Sequence, residues 1–299
     1  MKTKKIKPEK TGRKAEKLRI AVQKSGRLNE GSMKLLKECG IDVPAGNNQL
    51  KISVDNFSAE ILFLRDDDIP EYVQDGVADI GFVGENVVLE KNKVTDIVER
   101  LGYGKCRLSI ALPKGKNPKN IQALDGIKIA TSYPFILNKW LKQNKLKADI
   151  HEISGSVEIA PRIGLADAIC DLVSSGSTLF SNELYEYETI LKSEAVLIAG
   201  KNLSKQRQQL LDQLLFRIRS VKKAKYTKYV LLNAPNNSIE QICKYLPGIN
   251  SPTIVPLAKK GWSSIHSVIG ESDFWNVIEQ LKAAGAEGIL ILPIEKIIE

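Results

Sequence analysis

The sequence predicts an α/β protein in two parts: a large body of alternating strands and helices, then a small module of four strands and two helices. Three observations point there. Short apolar runs alternate with amphipathic stretches from about residue 18 to about residue 220, the pattern of helices layered on largely parallel sheets. From Tyr226 the order changes to β-α-β-β-α-β. At 164–179, GLADAICDLVSSGSTL, an apolar strand runs into a cluster of small hydroxyl residues and glycine.

Taken in order, residues 18–22 read as a strand and 29–39 as a helix. Residues 52–54 and 61–64 read as a strand pair. Residues 66–74 form a short helix capped by Asp66, Asp67 and Asp68. A strand at 79–83 and a helix at 85–91 follow. Next come a strand at 127–131, a helix at 135–144, a helical segment at 157–163 and the strand 168–173. A buried strand at 195–199 and a longer helix at 204–220 close the body. Its length allows one large unit or two lobes with a ligand cleft between them. The boundary falls in the basic stretch 221–228. Beyond it, strands at 229–232, 253–257, 264–269 and 288–293 alternate with helices at 239–246 and 273–284, the order of a ferredoxin-like unit.

The chain has 299 residues, 43 % hydrophobic and 26 % charged, the balance of a globular protein of two or three domains. No apolar run approaches the ~18 residues of a membrane span. No signal-peptide core opens the chain, so a cytoplasmic location is expected. Of the formal charge of +9, +6 lies in residues 1–17, where eight basic residues accompany two acidic ones. The remainder carries +3, so no nucleic-acid surface is expected on the body, and the tail reads as a solvated, disordered extension. Cys39, Cys106, Cys170 and Cys243 are scattered and read as reduced, mostly buried thiols. Only His151 and His266 are present, which excludes a His-rich zinc site. Neither a Walker A sequence nor GxGxxG occurs.

Ser174, Ser175, Gly176, Ser177 and Thr178 can wrap amides and hydroxyls round a phosphate, because no bulk holds the anion off. A helix beginning near Thr178 would add partial positive charge. A plain turn is the alternative reading. Asp167 and Asp171 suit sugar hydroxyls or a magnesium ion beside that phosphate. Four apart, they would share one face of a strand. Asp171 is the stronger candidate, while Asp167 reads equally as a surface charge. By spacing alone Glu158 is a solvent-facing charge. Lys24 and Arg27 follow the first strand, Arg65 opens RDDDIP and Arg107 lies in CRLS. Each is a candidate for anionic groups at strand ends, or a solvated loop cation. Tyr133 either packs on a substrate ring or caps the lobe.

LRIAVQKSGRL at 18–28, RDDDIP at 65–70, VADIGFVGENV at 77–87, CRLSIA at 106–111, ATSYP at 130–134 and GSVEIAPRIGLADAICDLVSSGSTL at 155–179 resemble the ATP phosphoribosyltransferases. SPTIVPLA at 251–258 and GILILPIEKIIE at 288–299 resemble the C-terminal domain of that family's long form. The resemblance spans roughly residues 18–299. It implies a two-lobed catalytic body similar to periplasmic binding proteins. Lobe I would hold 18–108 and about 200–220, lobe II 109–199, and a ferredoxin-like regulatory domain 225–299.

The implied reaction joins N1 of the adenine of ATP to 5-phosphoribosyl 1-diphosphate (PRPP). It gives phosphoribosyl-ATP and pyrophosphate and opens histidine biosynthesis. Mg2+, feedback inhibition by histidine and a homo-oligomer ranging from dimer to hexamer are implied with it. The resemblance places the PRPP 5-phosphate at Ser174, Ser175, Gly176, Ser177 and Thr178. It gives catalytic roles to Asp171, Asp167, Glu158, Lys24 and Arg27, with Mg2+ near Glu158 and Asp171. ATP and pyrophosphate would meet Arg27, Arg65, Arg107 and Tyr133, and inhibitory histidine Ser251, Thr253, Ala286 and Asn233. Some family members have an acid where Asn233 stands, which leaves the amino-group contact open. His266 reads as a residue of the module, not a ligand. The adenine nitrogen is unprotonated at neutral pH, so no strong general base is required. The competing expectations are a two-lobed binding protein without catalysis and a nonspecific nucleic-acid binder.

Overall fold

In the computed structural model, which describes residues 16–44, 49–116 and 118–298, the chain opens with β1 (Leu18–Gln23) and α1 (Arg27–Glu38). Residues 1–15 of the expected tail lie outside the described residues. Helix α1 buries Ser32, Leu35 and Leu36, the i, i+3, i+4 spacing of a one-sided helix. A hairpin of β2 (Lys51–Val54) and β3 (Ala59–Leu64) leads to α2 (Ile69–Gln74), β4 (Ile80–Gly84), α3 (Glu85–Lys91) and β5 (Asp96–Arg100). Strand β1 lies parallel to β3 and β4. A Cβ on Gly81 would fall 2.5 Å from Cγ2 of Ile69, so glycine there is what lets α2 close on β4.

The chain then crosses to a second sheet through β6 (Cys106–Pro113), β7 (Lys128–Thr131), α4 (Pro134–Gln143), β8 (Asp149–Glu152), β9 (Ala168–Val173), α5 (Ser177–Ser181) and β10 (Leu184–Ser193). It returns through β11 (Ala195–Ala199) before α6 (Lys205–Lys225). The two sheets have strand orders β2-β3-β1-β4-β11-β5 and β10-β6-β9-β7-β8. They are the cores of two lobes joined by two chain crossings, at residues 101–105 and at Glu194.

Several expectations change. Strand 195–199, assigned to lobe II, pairs antiparallel with β4 and β5 in the lobe I sheet. Residues 157–163 are not a helix. Only Val157–Ile159 form a 3-10 turn, because Pro161 has no amide to continue it. Asp66, Asp67 and Asp68 do not cap a helix either. They form a 3-10 turn of their own, and no side chain caps α2. Strands β5, β6, β8 and β10 go beyond the expected elements.

Contacts divide the chain into two compact units, Met1–Asp212 and Gln213–Glu299, the division falling within α6. The second unit contains β12 (Thr227–Pro235), α7 (Ile239–Tyr245), β13 (Thr253–Pro256), β14 (Trp262–Gly270), α8 (Glu271–Ala283) and β15 (Glu287–Pro293). Its antiparallel sheet runs β13-β14-β12-β15, the ferredoxin-like order. Val230, Leu232, Ala234, Ile265 and Ile269 alternate inward and pack with Phe274 and Leu281, the period-2 pattern of a sheet with one covered face. Among the described residues no helix is long and apolar enough to cross a membrane.

Candidate active site

Strand β9 is the backbone of the site. Buried Ala168, Ile169, Cys170 and Val173 hold it at the centre of the lobe II sheet. It delivers the turn Ser174, Ser175, Gly176 to the start of α5. Gly176 has φ +83, and a Cβ on it would meet nothing within 4 Å, so backbone conformation, not space, requires glycine. Ser175 and Ser177 hydroxyls lie 3.0 Å apart. The turn encloses a cavity of about 200 Å³ lined by Arg27, Glu158, Asp171 and residues 172–179. Arg27 comes from the first turn of α1 in lobe I and Glu158 from the 3-10 turn before β9. One cavity therefore collects Arg27, Glu158, Asp171, Ser174, Ser175, Gly176, Ser177 and Thr178.

Asp171 accepts a 2.7 Å hydrogen bond from the amide of Leu172. Burial raises its carboxyl pKa, and the charge of Glu158 adds to the rise. Among the described residues no group of three or more His, Cys, Asp or Glu could hold a metal. Two repelling carboxylates facing one cavity still fit Mg2+ brought in on substrate phosphates, the usual way that ion is held. Burial also pushes the Tyr133 hydroxyl pKa up, and the charges of Asp171, Asp66 and Asp67 add to it.

Lys24 and Arg65 stand side by side at the C-terminal ends of β1 and β3, where the amide of Lys24 donates to the carbonyl of Leu64 at 2.8 Å. Both side chains are exposed. Asp167 is elsewhere: it precedes β9, at the end opposite the turn. It accepts from the amide of Lys128 at 3.0 Å and lies 3.6 Å from Lys116. Sharing a strand face with Asp171 did not bring it near the turn, because seven residues of extended chain span ~23 Å.

Arg107 does not offer a free guanidinium to the cleft. Glu186 on β10 grips it through two nitrogens, and Nη1 donates to the carbonyl of Ser174 at 3.2 Å. Ser109 and Thr189 also donate to Glu186. The bond from Arg107, with help from Ser109 and Thr189, holds the Glu186 carboxyl down at about 2.

Sequence reasoning missed the residues that tie the lobes together. The Ser193 hydroxyl accepts from the amide of Asn86 at 3.0 Å and donates to its side-chain oxygen at 2.9 Å. Asn86 in turn donates to the Tyr133 hydroxyl at 3.2 Å. The Glu90 carboxylate on α3 accepts from the amides of Phe135 and Ile136 at 2.9 and 3.0 Å, capping α4 from the other lobe. No local signal marks these pairs. GENV, already singled out, is the nearest.

In the second unit, Asn233 pairs with Ser264, and Thr253 with His266. Directly paired residues share a face, so Asn233 and Thr253 lie on the sheet face away from α7 and α8. Ser251 is in the exposed loop before β13. Ala286 is buried in the core on the opposite face. His266 bonds Tyr229 at 2.7 Å and Ser264 at 3.1 Å.

Comparison with known proteins adds the following. The family model for ATP phosphoribosyltransferase matches residues 65–220, and the model described as "HisG, C-terminal domain" matches residues 224–296. An ATP phosphoribosyltransferase of Cytophaga hutchinsonii is 60 % identical over 282 residues, 94 % of this chain and 99 % of the relative. One from Parabacteroides distasonis is 56 % identical over 281 residues, again 94 % and 99 %. A chain of the ATP phosphoribosyl transferase (HisG:HisZ) complex from Thermotoga maritima aligns with a TM-score of 0.57 at 29 % identity, covering 68 % of this chain and 98 % of that one.

Proposed function

From the membership of this chain in the ATP phosphoribosyltransferase family, pentosyltransferases at the first step of histidine biosynthesis, we propose that the cavity around residues 171–178 binds PRPP and that ATP attacks it from lobe I. The observation that carries this reading is the single cavity shared by Arg27, Glu158, Asp171 and the Ser174–Thr178 turn.

The amides and hydroxyls of Ser174, Ser175, Gly176, Ser177 and Thr178 take the ribosyl 5-phosphate. Asp171 accepts hydrogen bonds from the ribose hydroxyls. Its charge, with that of Glu158, opposes the positive charge that develops on the ribosyl ring as its bond to pyrophosphate breaks. The lone pair of adenine N1 forms the new bond to C1, and pyrophosphate departs with the bonding electrons. Bound Mg2+ supplies charge neutralisation to the leaving group, and Asp171 and Glu158 are the residues that would hold it. Arg27, Lys24 and Arg65 meet the pyrophosphate and triphosphate from lobe I, and Tyr133 packs at the cleft. Asp167, at the far end of β9, takes no part. Arg107 acts through Ser174 as a positioning residue.

Asn233, Thr253 and Ser251 form the proposed contact region for inhibitory histidine on the C-terminal module. The active form is a homo-oligomer in the cytoplasm. The test is pyrophosphate release from ATP, PRPP and Mg2+. Wild-type protein releases it, histidine suppresses release, and Asp171→Asn loses at least about 100-fold in rate. A wild-type protein that releases none refutes the reading.

A further inference from the structure

Beside the phosphate turn, where the chain crosses between the lobes, lies a second cavity of about 440 Å³, within the range of small-ligand sites. Arg100, Lys105, Arg107 and Lys192 line it, with Glu194 the single carboxylate and Ser174 the wall it shares with the first cavity. The charges are unequally satisfied. Arg107 is engaged by Glu186, and Arg100 by Glu85 and Glu194. Lys105 and Lys192 have no carboxylate within ion-pair distance among the described residues, and both are exposed.

Their placement is unusual. Lys192 stands directly opposite Arg107 in the β6–β10 ladder, so two cations share one face at adjacent positions. Such a pair is destabilising unless something between them carries negative charge. Glu186 answers for Arg107 alone. Lys105, just before β6, adds a third positive group to the same opening. A compact anion with several charges would satisfy this arrangement, and ammonium groups suit phosphate oxygens as point charges.

We propose that this crossover cavity binds a polyphosphate chain, with Lys105 and Lys192 as its principal contacts. The chain comes either as the tail of a nucleotide or as a free anion. The site is distinct from the 5-phosphate turn, although Ser174 borders both. An anion there draws Lys105, on the first crossing segment, and Lys192, near the end of β10, toward one another.

Calorimetric titration of inorganic tripolyphosphate into the full-length chain at fixed ionic strength tests this without turnover, so a catalytically silent protein leaves the outcome readable. The double variant Lys105→Gln/Lys192→Gln binds about tenfold more weakly or worse, the loss of one or two charge-assisted contacts. Thr178→Ala shifts affinity by less than about threefold, a fraction of one such contact. The control Lys142→Gln/Lys145→Gln removes the same charge from the C-terminal end of α4, outside the lining of this cavity, and leaves affinity unchanged. The proposal is overturned if wild-type protein does not bind tripolyphosphate, if the double variant binds as well as wild type, if only Thr178→Ala loses binding, or if the control loses as much as the double variant. Given the expected binding, the KM for ATP identifies the source. A rise in the double variant means that the tail of ATP reaches this cavity beyond Arg27, Lys24 and Arg65, and an unchanged KM means a free anion.

Discussion

The guanidinium of Arg107 donates to the main-chain oxygen of Ser174 at 3.2 Å, so a side chain at the start of β6 fixes the first residue of the phosphate turn. Glu186 fixes Arg107 in turn by a two-nitrogen grip, the geometry in which Arg and carboxylate hold one another most rigidly. Glu186→Gln keeps the shape and removes the charge. The expected result is a KM for PRPP raised about tenfold, with kcat and the KM for ATP changed less. Steady-state kinetics with each substrate varied in turn checks it. A purely structural role would lower enzyme concentration without moving KM.

The same ion pair has a pH signature. Glu186 is held at about 2 in the folded protein, below the ~4.3 of an unfolded chain. Its contribution to stability is full above the unfolded value and is lost as pH falls toward about 2. Wild-type protein is therefore expected to lose its stability advantage over Glu186→Gln between about pH 4.3 and pH 2. Urea unfolding at a series of pH values measures the convergence.

Asp171 has the opposite sign. Burial raises its carboxyl pKa in the fold, so the folded state holds this proton more tightly than the unfolded chain. Stability from that preference is present at low pH and lost as pH rises through the folded value. At neutral pH the ionised group costs stability. Asp171→Asn should melt at a higher temperature than wild type while losing its activity, a trade expected of a functional buried charge. Thermal melts at pH 7 and pH 4 check it: the gain shrinks at the lower pH.

Glu90 caps α4 across the cleft through the amides of Phe135 and Ile136. Glu90→Ala leaves both amides without this partner and removes an anion from the helix N-terminus. The expected loss is about 1 kcal/mol of stability. Both KM values rise as the lobes part more easily. Denaturant unfolding together with kinetics distinguishes this from Glu186→Gln, which moves the KM for PRPP more than that for ATP.

How much of this was legible varies from element to element. Helix Glu85–Lys91 and strands Ala168–Val173 and Ala195–Ala199 could be read to the residue, because each is bounded by polar or glycine residues and only Asp171 interrupts the apolar run of either strand. Strand β10, LYEYETILKS, could not. It is an edge strand with two register irregularities, and each bulge shifts the alternation that marks a strand. Strands β5 (DIVER) and β8 (DIHE) are edge strands too, short and polar, as edges are under pressure to be. The phosphate turn was visible because its chemistry is contiguous. The grip on Arg107 was not: Glu186 lies 79 residues away, and only the pairing of β6 with β10 brings it near. Strand spacing put Asp167 on the face of Asp171, yet the order of strand and turn already set it about 23 Å of extended chain from the turn.

The most direct test is a crystal structure of the protein soaked with PRPP. The account predicts the 5-phosphate within hydrogen-bonding distance of amides from Ser175 to Thr178 and the ribose hydroxyls on Asp171. Density for the donor away from this turn, with the cavity beside Asp171 filled only by solvent, would contradict it.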